Sequence, residues 1–493
     1  MSEQSIATKV LKSSIWQYLG SWVDKLIGFI STIILARILV PDDFGIVAAA
    51  GIVTGLFHII GGVGTEQYLI RKKEILQSEL DTGWTINVIM KSISAIGIFL
   101  LAEIIADFMG DNRLVLVLQV ISVSSLLAGF NNIGMVLYEK NYKYRPRFIV
   151  RLTSRIIGFA VKVALALYLD NYWAFIIAEF FEVAIYLIGT FIAHPFRPRF
   201  SIANWKQQWL FSQWILLKSI FVFLRFRVDK ILLSKFLPLE SLGVYTVSMD
   251  LATLPAGQII APVMEPLYVG LSEIHDNPLL FADKIHKALS LLFIIVLPVA
   301  LGIHVTSENL VYVLLGEKWN HATPLVTVVA FVIIPGIVGD FFTRVMTAMG
   351  KVKLIFQFEL VLGLITISVF MLLAKRMVLL DFAMLRVALT SFNTFLVFFV
   401  LTQISGLSFW RICALTCIPL ISVIAMLYFI ILITPLIISY SHSHLIQLLI
   451  QVGAGAILYF YLISSFIYLF RNRVKEYQFI WKTFYVSLSL KKK

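Results

Sequence analysis

Fourteen long apolar segments dominate the sequence, and each is long enough to cross a lipid bilayer as an α-helix. A spanning helix needs about 20 predominantly apolar residues, because each residue adds about 1.5 Å of length. The predicted segments are residues 15–38, 44–66, 84–106, 114–137, 151–170, 172–194, 209–236, 243–269, 288–307, 323–348, 353–374, 380–404, 411–434 and 446–470. The connections are short, so the sequence predicts an all-α polytopic membrane protein without a separate soluble domain.

The amino-acid composition supports the membrane assignment. Hydrophobic residues make up 59% of the chain and charged residues 14%, whereas a soluble domain is about 45–50% apolar and about 25% charged. The apolar blocks also lack the alternation of barrel strands, which favours helices. The net charge of +13 could indicate nucleic-acid binding. Basic residues of membrane proteins gather in cytoplasmic loops, however, so we do not expect nucleic acid as a partner.

The distribution of Lys and Arg predicts the orientation of the chain. With a cytoplasmic N-terminus, the inner loops and tails carry roughly 24 Lys and Arg residues, against roughly 6 on the outer side. Both termini are therefore predicted to lie in the cytoplasm. The C-terminal tail ends in Lys491, Lys492 and Lys493. It fits an anionic lipid surface, although an ordinary positive-inside tail explains it as well.

An internal repeat divides the chain. Residues 32–51 align without gaps on residues 230–249, and the aligned pairs include Gly45 with Gly243 and Asp42 with Glu240. Both copies follow an even number of predicted spans, so the two halves have the same orientation in the membrane. We predict an N-terminal six-helix lobe at residues 1–205 and a pseudo-symmetric C-terminal six-helix lobe at residues 206–405. Two additional transmembrane helices and a basic cytoplasmic tail follow at residues 406–493.

Charged residues within the seventh predicted span are the clearest functional signal. Lys218, Arg225 and Asp229 share one helical face, and Arg225 and Asp229 are one turn apart. A charge near the centre of a bilayer costs about 2.5–3.5 kcal/mol on insertion scales. We therefore interpret this face as the cationic wall of a hydrated path through the membrane.

Further charged residues lie inside other predicted spans. The basic residues Lys25, Lys218, Arg225 and Arg344 are candidates for binding a diphosphate, since guanidinium and ammonium groups pair with phosphate oxygens. The acidic residues Asp24, Asp229, Asp250, Glu265 and Asp340 are candidates for coupling transport to protons or sodium ions, or for charge pairing. Internal salt bridges that lock helices together are the alternative explanation for all of these residues.

Sequence motifs of enzymes are absent. The chain has no Walker loop, no G-x-S-x-G, no H-E-x-x-H and no paired carboxylates in an outer loop. His442 and His444 could hold a metal ion, but two ligands without a third are a weak site. We predict neither catalytic residues nor a cofactor nor a metal site.

Several stretches resemble bacterial polysaccharide and O-antigen flippases of the Wzx and WzxC type. These belong to the multidrug/oligosaccharidyl-lipid/polysaccharide exporter superfamily. The matching stretches are LARILVPDDFG at 35–45, GTEQYLIRKK at 64–73, FMGD at 108–111, RPRF at 197–200, VDKILL at 228–233 and GVY at 243–245. One departure is Glu66, where related chains often carry an uncharged residue. It leaves open whether Glu66 lies in the transport path.

The resemblance implies a function in polysaccharide biosynthesis, for example of lipopolysaccharide or exopolysaccharide. The expected activity is translocation of an undecaprenyl-diphosphate-linked oligosaccharide across the bacterial cytoplasmic (inner) membrane by alternating access. Coupling to protons or sodium ions and contacts with membrane lipids or other polysaccharide assembly proteins are compatible with it. In this family the cavity is cationic, and Lys25, Arg225 and Arg344 fit a role in binding the diphosphate.

Two other functions remain open at this point. A cation-coupled multidrug exporter of the same superfamily would bind hydrophobic cations in an acidic cavity, which the basic face of the seventh span disfavours. A membrane glycan polymerase would need a large outer loop with catalytic groups, and the predicted connections are too short for one.

Overall fold

The computed structural model describes residues 3–62, 64–272, 278–405 and 408–490, and within these ranges the chain is almost entirely α-helical. In chain order the helices are α1 (Glu3–Ile38), α2 (Pro41–Gly61), α3 (Thr65–Arg71), α4 (Gln77–Met109), α5 (Arg113–Gly129), α6 (Met135–Lys140), α7 (Tyr144–Leu169), α8 (Trp173–Ala193), α9 (Trp205–Phe236), α10 (Leu239–Ser272), α11 (Pro278–Leu314), α12 (Thr323–Val329), α13 (Ile333–Ala348), α14 (Val352–Leu373), α15 (Leu379–Ser405), α16 (Phe409–Tyr440), α17 (His444–Phe470) and α18 (Lys475–Leu490). This helical content confirms the predicted all-α class.

Eleven helical stretches in the described ranges are long and apolar enough to cross a membrane. Of the predicted spans, α5 is apolar but only 17 residues long, and α9 and α10 are not among the eleven. α9 has 32 residues but carries seven Lys, Arg and Asp residues, which lower its hydropathy. The tenth predicted span is broken into α12 and α13 by a 3-10 turn at Ala330–Val332.

Three further helices were not predicted as separate elements. α3 and α6 have seven and six residues and follow α2 and α5, respectively. α18 follows the last predicted span and has 16 residues. All three are shorter than a spanning helix, so a search for apolar segments of about 20 residues does not detect them.

The chain packs into two compact units. The first comprises Met1–Thr246 and Val369–Arg376, and the second comprises Val247–Ser368 and Met377–Lys493. By packing, α9 therefore belongs with the helices that precede it. The lobe boundaries at residues 205 and 405 were drawn from the repeat and the predicted spans, and they stay a prediction.

In the first unit the two copies of the repeat touch at a reciprocal glycine contact. A Cβ atom on Gly45 would lie 2.0 Å from the carbonyl oxygen of Leu239. One on Gly243 would lie 2.2 Å from the carbonyl oxygen of Pro41. Pro41 aligns with Leu239 as Gly45 aligns with Gly243, so both repeats make the same contact. Only glycine lets the first turns of α2 and α10 approach this closely.

The second unit is built around α11. Its apolar side packs against α12, α13, α15, α16 and α17, and the shared core includes Phe281, Phe293, Phe341 and Phe342. The buried Tyr459 of α17 donates a hydrogen bond of 2.6 Å to the carbonyl oxygen of Ile294 in α11. This hydrogen bond satisfies a polar group inside an otherwise apolar interface.

A chain of buried polar side chains joins α11, α16 and α17. Asn309 donates to Gln451 Oε1 (2.9 Å), and Gln451 donates in turn to Thr434 Oγ1 (3.1 Å). His444 Nδ1 lies 2.7 Å from Asn309 Oδ1, and the imidazole packs on the ring of Tyr312. The network pairs polar groups that would be costly to bury alone.

Candidate functional site

The charged face of α9 divides into an exposed part and a buried part. Lys218 is exposed, Arg225 is half-buried and its guanidinium lies 5.2 Å from the ring centre of Phe226. Asp229 is only 1% exposed. The predicted common face therefore places Lys218 at the surface of the first unit and Asp229 in its interior.

Asp229 is held by the start of α10. The hydroxyl of Tyr245, itself fully buried, donates a 2.7 Å hydrogen bond to Asp229 Oδ2. Such a bond to a charged acceptor is stronger than one between neutral groups. It joins α9 to α10, so Asp229 has a structural contact, and its ion-coupling or charge-pairing role stays a prediction.

An open groove of about 510 Å³ lies between α2 and α9 in the first unit. Its lining is Ile59, Ile215, Lys218, Ser219, Val222, Phe223, Phe226 and Arg227. Lys218 was predicted to line a path. Arg227, on the roughly opposite side of the helix from Arg225, was not among the predicted site residues. The groove thus offers two cations set in an apolar surface.

Asp24 and Lys25 of α1 have different surroundings. Lys25 is exposed. Asp24 is 9% exposed, and its Oδ2 lies 2.6 Å from Arg151 Nε on α7, with Arg155 Nε at 3.8 Å from Oδ1. Asp24 therefore lies beside two arginines that were not predicted as site residues, and its role in ion coupling or charge pairing stays a prediction.

The arginines belong to a row of basic residues on α7, none of which was among the predicted site residues. We call Arg147, Arg151, Arg155 and Lys162 the α7 basic stripe, since they share one helical face. Arg155 also pairs with Glu182 of α8, with NH1 to Oε1 at 3.2 Å. The repeated four-residue spacing of the arginines was visible in the sequence. Arg147 lies in the connection between the predicted spans 114–137 and 151–170, and the other three residues lie within the span 151–170.

The end of the stripe nearest α6 contacts two glutamates outside α7. Arg147 forms ion pairs with Glu139 of α6 and with Glu66 of α3, the latter at 3.3 Å. Burial raises the pKa of the Glu139 carboxyl above its ordinary range, although the charge of Arg147 opposes the shift. The sequence left open whether Glu66 lies in the transport path. In the structure Glu66 forms an ion pair with Arg147 of the α7 basic stripe.

The remaining predicted residues lie in the second unit. Asp340 is exposed on α13, and Arg344 one turn further along is close enough for their charges to interact. Asp250 is exposed on α10. The side chain of Glu265 lies outside the described residues. The structure thus brings Asp340 and Arg344 together. The other five predicted residues share only their place in the first unit: Asp24, Lys25, Lys218, Arg225 and Asp229.

Lys91 of α4 is a buried cation that was also missed. It is 7% exposed, and its side chain runs across Gly61 and Gly129, where a Cβ atom would lie 2.7 and 2.8 Å from it. Among the described residues no carboxylate pairs with it. The signal in the sequence was a single Lys inside a predicted span, which is how intramembrane functional residues often appear.

The geometry gives no support to a metal site. Within the described ranges, no three His, Cys, Asp or Glu side chains come close enough to hold a metal ion. His444 uses Nδ1 for its contact with Asn309.

Comparison with protein families identifies relatives in polysaccharide biosynthesis. A family model described as "Polysaccharide biosynthesis protein" matches residues 34–324. The lipopolysaccharide biosynthesis protein WzxC of Escherichia coli (strain K12) is 23% identical over 359 residues, covering 72% of this chain and 73% of that protein. The succinoglycan biosynthesis transport protein ExoT of Rhizobium meliloti (strain 1021) is 24% identical and covers 66% of each chain.

Comparison with solved structures identifies the fold. The lipid II flippase MurJ in an inward closed conformation superimposes with a TM-score of 0.74 at 14% sequence identity. The match covers 94% of this chain and 99% of MurJ. At this identity the likeness speaks for the fold, and it confirms the predicted class of a polytopic helical membrane protein. The fold is consistent with about 14 spans, of which eleven are found in the described residues.

Proposed function

Because the chain belongs to the polysaccharide biosynthesis protein family, we propose that it is a flippase. Its cargo is a lipid-diphosphate-linked oligosaccharide, the repeat unit of a polysaccharide. The cargo crosses the cytoplasmic membrane by alternating access of two lobes, divided near residue 205, with both termini in the cytoplasm. The named activities of ExoT and MurJ, transport and flipping of a lipid-linked cargo, support this proposal.

The observation that carries the proposal is the basic lining at membrane depth. Lys218 and Arg227 border an open groove on α9, and the arginines of α7 are partly exposed. Fixed positive charge attracts an anionic headgroup, and the apolar remainder of the groove suits a lipid. A multidrug exporter for cations would gain nothing from such a surface.

The acidic residues are proposed to serve mainly as counter-charges. Asp24 and Asp229 already have partners. Asp340, whose charge interacts with that of Arg344, and Asp250 are both exposed. Because ions can reach them, we propose these two residues for coupling transport to protons or sodium ions. Neither proposed role requires catalysis, so we propose a transporter without enzymatic activity.

A complementation experiment tests the proposal. In a strain that lacks the gene, the lipid-linked oligosaccharide should accumulate in the cytoplasmic leaflet, and the wild-type gene should restore surface polysaccharide. Lys218→Ala and Arg227→Ala should each lower export at least about ten-fold, since each removes from the groove a charge-assisted contact worth about 1.5–3 kcal/mol. Export is measured as surface polysaccharide per cell at equal protein level.

Lys206→Ala is the matched control, because Lys206 is an exposed cation at the start of the same helix. It should leave export unchanged. Normal export in both Lys218→Ala and Arg227→Ala would contradict their role in cargo binding. Dye efflux that depends on the protein, with no effect on polysaccharide, would favour the multidrug exporter, and a build-up of unpolymerised units on the outer face would favour the polymerase.

A further inference from the structure

α7 separates charge and apolar surface onto opposite faces. The residues of the α7 basic stripe fall within about 40° on either side of Arg151, at about 100° per residue. The exposed apolar residues Ile149, Ile156 and Leu167 lie about 140–160° away from Arg151. α7 therefore presents an apolar face that suits lipid, and the stripe points away from it.

The arginines of the stripe are accessible although they are paired. The side chains of Arg151 and Arg155 are 57% and 39% exposed, whereas their shared partner Asp24 is 9% exposed. Arg151 and Arg155 lie about two and three turns into α7. Exposed guanidinium groups there would be costly against lipid, so we expect the space beside them to hold water.

The acidic partners come from other helices and are positioned by the packing. Asp24 reaches Arg151 and Arg155 from α1, and Glu182 reaches Arg155 from α8. Gly158 of α7 leaves the space that Glu182 occupies, because a Cβ atom there would lie 3.0 Å from it. The carboxylates neutralise the guanidinium groups while the site is empty, and the exposed arginines stay within reach of an incoming anion.

Resting on the proposed function, we propose that the α7 basic stripe is a binding path for the diphosphate of the cargo. The stripe covers about 22 Å along the helix, at 1.5 Å per residue, from the end of α7 nearest α6 towards its middle. Phosphate oxygens replace Asp24 and Glu182 at Arg151 and Arg155, because guanidinium binds phosphate in the same two-pronged geometry as carboxylate. Asp24 then acts as a competitor that keeps the site neutral when it is empty.

Binding of undecaprenyl diphosphate to the full chain in nanodiscs of zwitterionic lipid tests this assignment. Arg151→Gln and Arg155→Gln should each weaken binding at least ten-fold. Asp24→Asn should strengthen it several-fold, since it removes the competing carboxylate. Arg145→Gln is the control, because this substitution removes the same charge from the same helix. Arg145 lies about 120° around the helix from Arg151, and its guanidinium lies over the ring of Trp16. Arg151→Lys keeps the charge without the two-pronged geometry and should give an intermediate affinity.

The sign of the Asp24→Asn effect separates binding from structural support. If the pairs only stabilise the fold, Asp24→Asn and Arg151→Gln will both lower the midpoint of thermal unfolding, and the folded fraction will bind with unchanged affinity. Unchanged affinity in these variants would overturn the assignment of the stripe as a binding path. The proposed function would still stand if the wild type binds the diphosphate and restores export. Failure of the wild type both to bind the diphosphate and to restore export would reject the proposed function as well.

Competition by inorganic pyrophosphate supports recognition of the diphosphate. Equal competition by phosphatidylglycerol would identify a general site for anionic lipid and overturn the assignment.

Discussion

Gly45 and Gly243 illustrate how much a single residue can decide in this protein. Each lies where the backbone of the other repeat comes within contact distance of its Cα. The sequence alignment of the repeats identified the pair but could not reveal that its members face each other. A missing side chain carries no signal in hydropathy, and glycines are also common at ordinary helix contacts.

Gly45→Ala should destabilise the first unit by about 1–3 kcal/mol. The added methyl group would overlap a backbone carbonyl, and the first turns of α2 and α10 would have to separate. The measurement is the thermal unfolding midpoint of the purified protein in detergent. Gly51→Ala is the matched control, because a Cβ atom at Gly51 on the same helix meets nothing within 4 Å. A midpoint for Gly45→Ala equal to that of the control would show that the contact can open without cost.

At the scale of elements, α18 is the helix that hydropathy alone does not detect. Tyr477 and Ile480 are buried in the core of the second unit. Glu476, 1% exposed, forms an ion pair of 2.5 Å with Arg411 of α16. Arg411 also approaches Asp283 of α11 at 3.7 Å. The segment that was predicted to be a basic tail is therefore a docked helix over its described part.

Glu476→Gln should loosen α18 without unfolding the second unit. The substitution removes the charge that binds Arg411 and is expected to cost about 1–2 kcal/mol of local stability. Hydrogen exchange of the amides at residues 475–482 should then be about ten-fold faster or more. Lys475→Gln alters a neighbouring exposed charge and should leave the exchange unchanged. Equal protection in Glu476→Gln and wild type would mean that apolar packing alone holds α18.

At the scale of the whole molecule, the predicted orientation rests on the uneven distribution of Lys and Arg. It can be tested with single cysteines in a background that lacks Cys413 and Cys417. A membrane-impermeant maleimide should label Ser443→Cys in intact cells, because the connection before α17 is predicted to lie outside. Ala203→Cys, in the connection before α9, should react only after the membrane is opened. Labelling of Ala203→Cys in intact cells would reverse the orientation.

The sequence identifies charged residues inside the predicted spans, but it does not reveal which side chains surround them. It selected Asp24 and Lys218, and the structure gives the first an arginine partner and the second a groove. It missed Arg151 and Arg155, because each was judged as one residue in a long span rather than as a row facing other helices. It also could not separate Lys218 from Asp229, which lie on one helical face but differ in exposure.

The sequence by itself determined that the chain is a helical membrane protein with a repeated architecture. Long apolar segments have few folding options in lipid, since every backbone polar group must be paired within the segment. Only the tertiary structure decided which charges are neutralised and which stay accessible. Pairing across helices such as α1, α7 and α8 depends on distances between side chains far apart in the chain, and helical periodicity carries no information about those distances.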